Sequence, residues 1–170
     1  MRAAMIGDNC VDYYERLDRW YPTGNVVDTG VNLRKLGTEV SIISTTGTDE
    51  YGQKMTDTLK KLGLDISHLS VEDGATAVTY MDLVAGERIH GEYVEGVLAD
   101  MVFTEEDILF AAEHDLIHSA LWGKAEGVIR KIKEKTRGIV SFDYADRLSH
   151  KIVEDTESFI DYGFFSYHQG

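Results

Sequence analysis

A glycine, an amide and a carboxylate lie close together at the start of the stretch Thr23–Gly37. Gly24 has no Cβ, so a ligand can approach the backbone closely there. Asn25 and Asp28 follow within the first turn of the helix that the apolar spacing predicts, and Gly37 is placed to end that helix. Hydroxyl groups both donate and accept hydrogen bonds, so a polyol site needs backbone donors and side-chain acceptors of this kind. Taken alone, such residues are more typical of an ordinary loop-to-helix junction.

A second polar set follows the first apolar run of the chain. Arg2–Gly7 has the composition of a short, buried central strand, and Asp8–Asp12 come directly after it. In open parallel sheets, ligands bind outside the carboxyl ends of the strands. This position makes the polar set, Asp12 included, a candidate part of a ligand site.

Strand and helix patterns alternate along most of the chain, which predicts an α/β fold with a mainly parallel sheet. Strands are predicted at residues 2–7, 40–44, 116–120 and 139–142 and from 164 onward, and helices within 23–37, at 51–62, from 104 onward and at 123–136. The stretch 75–94 instead predicts an antiparallel hairpin with a turn at Ala85–Glu87, and Tyr13–Tyr21 predicts an exposed ribbon. Because a hairpin has no place in a parallel sheet, we expect it to form a flap over one end.

Length and charge limit the classes of protein and partner. The 170 residues suffice for one domain with a sizeable core. Seventeen Lys and Arg against 30 Asp and Glu give a formal charge of −13, which disfavours nucleic acid and anionic membranes as partners. Cys10 is the one cysteine, so an internal disulfide is excluded, and this fits a reducing cytoplasm. The sequence has neither a signal-peptide pattern nor an apolar run that could span a membrane. We therefore predict a cytoplasmic, acidic protein of one domain.

Three other kinds of site are disfavoured by the sequence. Gly47–Lys54 lacks the Gly-Lys-Ser/Thr of a P-loop, and its two acidic residues would repel a phosphate. His114 and His118 are four residues apart, but a predicted strand begins between them and no ligand cluster accompanies them, so no metal site is predicted. Cys10 has no base nearby in the sequence, which favours a passive thiol over a nucleophile.

Several motifs resemble, in the same order, the amino-terminal part of the ribokinase-like (PfkB-type) carbohydrate kinases. The first signature of that family is roughly Gly-Gly-Asn-x-x-Asn, followed by a helix, a glycine and a Gly-x-Asp-x-x-Gly turn. The matching segments are IGDNCVD (6–12), TGNVVD (23–28), GTDEYG (47–52), DISHL (65–69), GEYVEGVLADM (91–101) and IHSALWGKAE (117–126). The resemblance covers nearly all 170 residues and is greatest for the branch that acts on fructosamines such as fructoselysine.

The resemblance implies a fold, a reaction and a set of contacts. The fold would be a mainly parallel sheet with helices on both faces, plus a small β lid formed by about residues 11–21 and 75–94, with 1–170 as the amino-terminal part of one such domain. The reaction would be phosphorylation of a sugar or sugar-amine hydroxyl, with ATP and Mg²⁺ as cofactors. A homodimer through the lid is also implied. The family's sugar contacts carry over to Asp12, Gly24, Asn25 and Asp28.

The hairpin suggests which sugar is bound. Strand alternation would put Arg88, His90, Glu92 and Val94 on one face of the lid. We predict that Arg88 and Glu92 contact the substrate, and that Glu92 acts with Asp28 to attract the protonated amine of a fructosamine. Exposed carboxylates are more often simply solvated.

The sequence also departs from the family pattern. Asp28 replaces an asparagine and Thr23 a glycine, and from the family's Asp-x-Asn-x-Arg motif we carry over Arg147 alone, as a candidate on the nucleotide side. The second signature, Gly-Ala-Gly-Asp, supplies the anion hole and the catalytic base, and it is absent from these 170 residues. We therefore expect a sugar-binding half, truncated on its C-terminal side, without a catalytic residue and inactive alone. The rival interpretations are a non-catalytic sugar-binding or interaction module and a nucleoside kinase of the same fold.

Overall fold

The computed structural model describes residues 1–147 and 151–167, and these ranges contain ten strands and five α-helices. The strands are β1 (Arg2–Ile6), β2 (Cys10–Tyr14), β3 (Arg19–Thr23), β4 (Glu39–Gly47), β5 (Asp65–Glu72), β6 (Val78–Val84), β7 (Glu87–Val94), β8 (Leu116–Ala120), β9 (Ile139–Asp143) and β10 (Tyr162–Phe164). The helices are α1 (Asn25–Lys35), α2 (Glu50–Lys61), α3 (Glu105–Ala112), α4 (Glu126–Lys135) and α5 (Lys151–Thr156). Within the described ranges, none of the helices is both long and apolar enough to cross a membrane.

Six of the described strands form one parallel sheet in the order β10-β9-β8-β1-β4-β5. Alternate residues of the central strand β1 face opposite sides of this sheet. Ala3 and Met5 pack with buried residues of α1 and α2, whereas Ala4 and Ile6 pack with buried residues of α3, α4 and α5. Parallel strands are apolar on both faces and therefore need helices on both sides. The predicted α/β fold with helices on both faces is confirmed.

The other four described strands form a smaller sheet in the order β3-β2-β6-β7, which we call the lid sheet. Strand β2 pairs antiparallel with β3 and parallel with β6, and β6 pairs antiparallel with β7. The predicted hairpin is confirmed, with its turn between Val84 and Glu87. Val11 and Val78 of the lid sheet pack into the same core as α1 and α2. The lid sheet is therefore held against the helices on one face of the main sheet.

Asp49 ties the base of the lid sheet to the start of α2. Its Oδ1 accepts hydrogen bonds from the backbone N–H of Gly52 at 2.9 Å and from the hydroxyl of Thr76 at 2.6 Å. Its Oδ2 accepts a third from the backbone N–H of Thr76 at 3.0 Å. A Cβ on Gly52 would overlap the carbonyl oxygen of Gly47. The Gly-x-Asp-x-x-Gly turn thus has a structural role in this chain.

Strand β5 is present although the sequence pattern did not predict it. Of its eight residues, only Leu69 is buried, because β5 is an edge strand that pairs with β4 alone. A mostly polar edge strand gives no apolar periodicity to detect. Strand β4 is also longer than predicted, since Thr45 and Thr46 are buried where they pair with β5.

Three further boundaries differ from the predictions. The helix predicted at 123–136 begins only at Glu126, because Lys124 adopts a left-handed backbone conformation with φ of 52°. Strand β10 ends at Phe164, where the sequence predicted a strand to begin. Helix α5, six residues long, is too short to give a recognisable apolar period.

Candidate functional site

The start of α1 packs directly against the turn between β1 and β2. Gly24 precedes the helix and has φ of 120°, which residues with a side chain rarely adopt. A Cβ at this position would lie 2.7 Å from the carbonyl oxygen of Asp8 and 2.8 Å from the Cα of Asn9. Only glycine permits this approach, which brings the first helical residue, Asn25, to the carboxyl end of β1.

Asp8 caps α1 from outside the helix. Its Oδ2 accepts a hydrogen bond from the backbone N–H of Asn25 at 3.1 Å, a role that the side-chain-free Gly24 cannot fill. Asp8 is only 6% exposed, and its Oδ1 has no partner among the described residues. Burial raises the pKa of this carboxyl group. The sequence prediction included Asp8 in the polar set but not among the site residues. Its position directly after a buried strand is the signal that could have identified it.

Asn9 joins the carboxyl ends of two neighbouring strands. Its amide Nδ2 donates to the Ser44 hydroxyl at 2.7 Å and to the carbonyl oxygen of Thr45 at 2.6 Å. The Ser44 hydroxyl in turn donates to the carbonyl oxygen of Gly7 at 2.5 Å. These buried bonds link the end of β1 to β4. They hold the turn against which Gly24 packs.

Two more carboxyl groups, Asp12 on β2 and Asp28 on α1, lie beside this turn. The Thr23 hydroxyl donates to Asp28 Oδ2 at 2.9 Å, so the threonine that replaces the family glycine orients this carboxylate. Partial burial, which removes water from the carboxyl groups, raises the pKa of both Asp12 and Asp28. The charge of Asp28 also raises the pKa of Asp12. Burial, with the charges of Asp8 and Asp12, raises the pKa of the Cys10 thiol to about 12. The thiol therefore stays protonated at neutral pH, as expected of a passive cysteine.

One face of the lid sheet carries Asp12 together with two basic residues of β7, Arg88 and His90. Asp12 pairs with Thr79, which pairs with Tyr93, and these cross-strand neighbours share a face. Alternation along β6 places the partners of Arg88 and His90 on the same face. The charges of His90 and Arg88 oppose the rise in the pKa of Asp12, which is caused first by burial. Arg88 has the same effect on Asp28.

The predicted alternation along β7 is wrong, because this strand contains a bulge. Two of its residues, Gly91 and Glu92, lie opposite the single residue Tyr80 of β6. The extra residue interrupts the two-residue period. It brings Tyr93 to the face that carries Arg88 and leaves Glu92 on the other face.

The bulge corrects the prediction for Glu92. Its side chain lines a surface groove of the lid sheet together with Ile89 and Val94. The predicted pairing of Glu92 with Asp28 against a cationic substrate is therefore not formed. Arg88, not Glu92, is the lid residue whose charge reaches Asp28.

Arg147, the remaining predicted residue, lines a different groove. It follows β9 and borders a cavity of about 410 Å³ with Trp122, Glu126 and Lys151. Its Nε lies 3.3 Å from Asp146 Oδ1. No hydrogen bond or ion pair in the described part of the chain joins Arg147 to Asp12 or Asp28. Its assignment to the nucleotide side stays a prediction.

The structure thus gathers Asp12, Gly24, Asn25 and Asp28 at one place, and Arg88 lies on the same face of the lid sheet as Asp12. Hydrogen-bond acceptors predominate there, so the site suits hydroxyl and ammonium groups and not phosphates. Among residues 1–147 and 151–167, no group of three or more histidine, cysteine or carboxylate side chains is arranged to hold a metal ion. No residue of the described chain is therefore assigned to Mg²⁺, and Arg147 stays the one predicted residue on the nucleotide side.

Comparison with known proteins identifies the family. The family described as pfkB family carbohydrate kinase matches residues 22–141, a range that includes α1, the lid strands β6 and β7, and three complete strands of the main sheet, β4, β5 and β8. The chain belongs to this family. Its members are sugar kinases, and the predicted resemblance is confirmed.

Individual relatives agree with this assignment. The fructoselysine 6-kinase of Escherichia coli strain K12 is 35% identical over 163 residues, which are 96% of this chain and 62% of that protein. A fructosamine kinase of Bacillus subtilis strain 168 is 27% identical over 170 residues, 98% of this chain and 59% of that protein. The crystal structure of ribokinase from Thermotoga maritima matches with a TM-score of 0.76 at 17% identity, over 97% of this chain and 59% of its own. The fold is therefore ribokinase-like. The chain spans 62% of the length of the Escherichia coli fructoselysine 6-kinase.

Proposed function

We propose that this chain supplies the sugar-binding part of an ATP-dependent kinase that phosphorylates a sugar-amine, at the 6-hydroxyl of a fructosamine such as fructoselysine. The observation that carries this proposal is the placement of Asp12 and Asp28 beside the Gly24 turn, at the carboxyl edge of a parallel sheet, with Asp12 on the lid sheet and Asp28 on α1. The names of the Escherichia coli and Bacillus subtilis relatives suggest the substrate class.

The electrostatics of the site favour a sugar-amine over a neutral sugar. Carboxylates accept hydrogen bonds from sugar hydroxyls, and a protonated secondary amine adds a charge-assisted bond. The raised pKa values of Asp12 and Asp28 reflect lost water, which a bound ammonium group replaces with an opposite charge. A charge-assisted hydrogen bond contributes about 1.5–3 kcal/mol, or roughly 10- to 150-fold in affinity.

The catalytic part of the reaction lies outside this chain in our proposal. These 170 residues lack the Gly-Ala-Gly-Asp signature that supplies the anion hole and the base in the family. When bound, ATP with Mg²⁺ supplies the phosphoryl group, and the residues described here bind and orient the sugar. Because phosphoryl transfer depends on positioning and charge stabilisation, we expect residues 1–170 alone to show no turnover. The same absence favours the second candidate function, a sugar-binding module without catalysis.

A phosphorylation assay on the complete gene product separates these functions. The protein is incubated with ATP, Mg²⁺ and, in turn, fructoselysine, fructose and adenosine, and the products are followed by ³¹P NMR. We expect a sugar phosphate from fructoselysine, slower reaction with fructose, and loss of product in an Asp12→Ala variant. Binding of fructoselysine without product would identify the binding module, and phosphorylation of adenosine alone would identify a nucleoside kinase.

We also retain two proposals about the setting of the protein. A cytoplasmic location agrees with the single, half-buried Cys10. A homodimer through the lid agrees with the exposure of Ile89, Tyr93 and Val94 on the edge strand β7. Sedimentation equilibrium of wild type and an Ile89→Lys variant tests the dimer, which the lysine should dissociate.

A further inference from the structure

The candidate site carries both acidic and basic groups. Asp12 on β2 shares one face of the lid sheet with Arg88 and His90 on β7, and Asp28 lies on α1. Among the described residues, Arg88 is the cation whose charge acts on both carboxyl groups, whereas His90 acts on Asp12 alone. A ligand bound at this face therefore meets carboxylate acceptors as well as a guanidinium.

Arg88 makes no polar side-chain contact with the described part of the protein. Among residues 1–147 and 151–167, it forms no ion pair within 4.0 Å and donates no side-chain hydrogen bond, and its side chain is exposed. Arg16, near the lid hairpin, pairs instead with Asp82 at 3.0 Å. Asp28 is engaged by the Thr23 hydroxyl and not by Arg88. Within the described part of the chain, the guanidinium of Arg88 is thus available to a ligand, and no direct contact with Arg88 neutralises the carboxylates of Asp12 and Asp28.

The chemistry of glycated amino acids matches this arrangement. A neutral sugar such as fructose offers hydroxyls to the carboxylates and nothing to a guanidinium. A glycated amino acid adds a protonated amine for the acidic side and a carboxylate for the basic side. Arginine binds carboxylates through two parallel hydrogen bonds, with more geometric specificity than a lysine provides.

We propose that Arg88 recognises the carboxylate of a glycated amino acid whose sugar and amine lie against Asp12 and Asp28, and that this contact determines substrate specificity. The proposal rests on the function proposed above. It assigns the lid sheet a role in distinguishing glycated amino acids from glycated amines and simple sugars. Glu92, on the other face of the bulged strand, has no part in this contact.

Binding measurements with matched ligands test the role of Arg88. Isothermal titration calorimetry on the complete gene product uses two pairs that differ only in the carboxylate, fructoselysine against glycated 1,5-diaminopentane and fructosylglycine against glycated methylamine. The test variant is Arg88→Gln. The matched control is Arg16→Gln, which also removes one arginine near the lid hairpin. Because Arg88 is exposed and has no ion pair with the residues that the structure describes, we expect its replacement to leave the fold intact, which circular dichroism verifies.

We expect the wild type to prefer the carboxylate-bearing ligand in at least one pair by roughly tenfold or more. Arg88→Gln should reduce that preference to about threefold or less without weakening the carboxylate-free ligand, and Arg16→Gln should retain it. Equal affinity within both pairs, or a preference that survives Arg88→Gln, would overturn the role of Arg88 and leave the kinase proposal standing. Failure of the wild type to bind any of the four glycated ligands would overturn both.

Discussion

Replacing Gly24 by alanine tests how closely the start of α1 packs on the β1–β2 turn. The new Cβ would lie 2.7 Å from the carbonyl oxygen of Asp8 and 2.8 Å from the Cα of Asn9, so backbone has to move. The backbone at Gly24 has φ of 120° and ψ of 141°, near a region that only glycine adopts at low cost, and strain there costs about 1–3 kcal/mol. Overpacking adds about 1–3 kcal/mol.

Gly37→Ala is the matched control. Gly37 also has positive φ, at 91°, but a Cβ there meets nothing within 4 Å. Its replacement should cost only the left-handed strain, about 1–2 kcal/mol. Urea unfolding of the complete gene product should therefore show a free energy of unfolding for Gly24→Ala that is lower than for Gly37→Ala by about 1–3 kcal/mol. Equal losses in the two variants would refute the close packing that positions the site.

Three further predictions follow from the carboxyl and imidazole groups. Asp12→Ala should weaken fructoselysine binding by roughly 10- to 150-fold and leave ATP binding unchanged, as measured by calorimetry. Weaker ATP binding with unchanged fructoselysine binding would contradict the assignment of Asp12 to the sugar site. Burial raises the pKa of Asp8, so its stabilising contribution is lost as pH rises. The stability of Asp8→Asn relative to wild type should therefore increase from pH 4 upward in urea melts, and a constant difference would contradict this. Burial lowers the pKa of His118, so the unfolded state takes up its proton first and stability is lost as pH falls below about 6.5. A thermal-melt comparison from pH 7 to 5 should show His118→Gln losing less stability than wild type, and parallel losses would count against it.

The sequence is sufficient to predict those elements whose local residue pattern matches their burial and capping in the folded structure. Strand β8 has the predicted bounds, because its short apolar run is buried on both faces. The cap of α3 was also predictable, since Thr104 and Asp107 form a capping box within four residues. Gly24 of the TGNVVD motif has a packing role, since a Cβ there would meet the backbone of a distant turn, whereas the assignment of the site residues stays a prediction.

Two of the failures share one cause, which is that strand pairing is invisible in a single sequence. Strand β5 is polar because only one of its edges is paired. The face of Glu92 depends on a bulge, which requires knowledge of the register against Tyr80. The position of Asp8 after a buried strand was visible in the sequence, but its hydrogen bond from the backbone N–H of Asn25, which belongs to another element, was not.

A crystal structure of the complete gene product with bound fructoselysine tests the central claim most directly. The claim is that the edge of the sheet beside Gly24 is a binding site for a fructosamine. We expect sugar hydroxyls within hydrogen-bonding distance, about 2.5–3.2 Å, of the carboxylates of Asp12 and Asp28. Density for the ligand in the groove beside Glu92 or beside Arg147, with Asp12 and Asp28 left uncontacted, would contradict the claim.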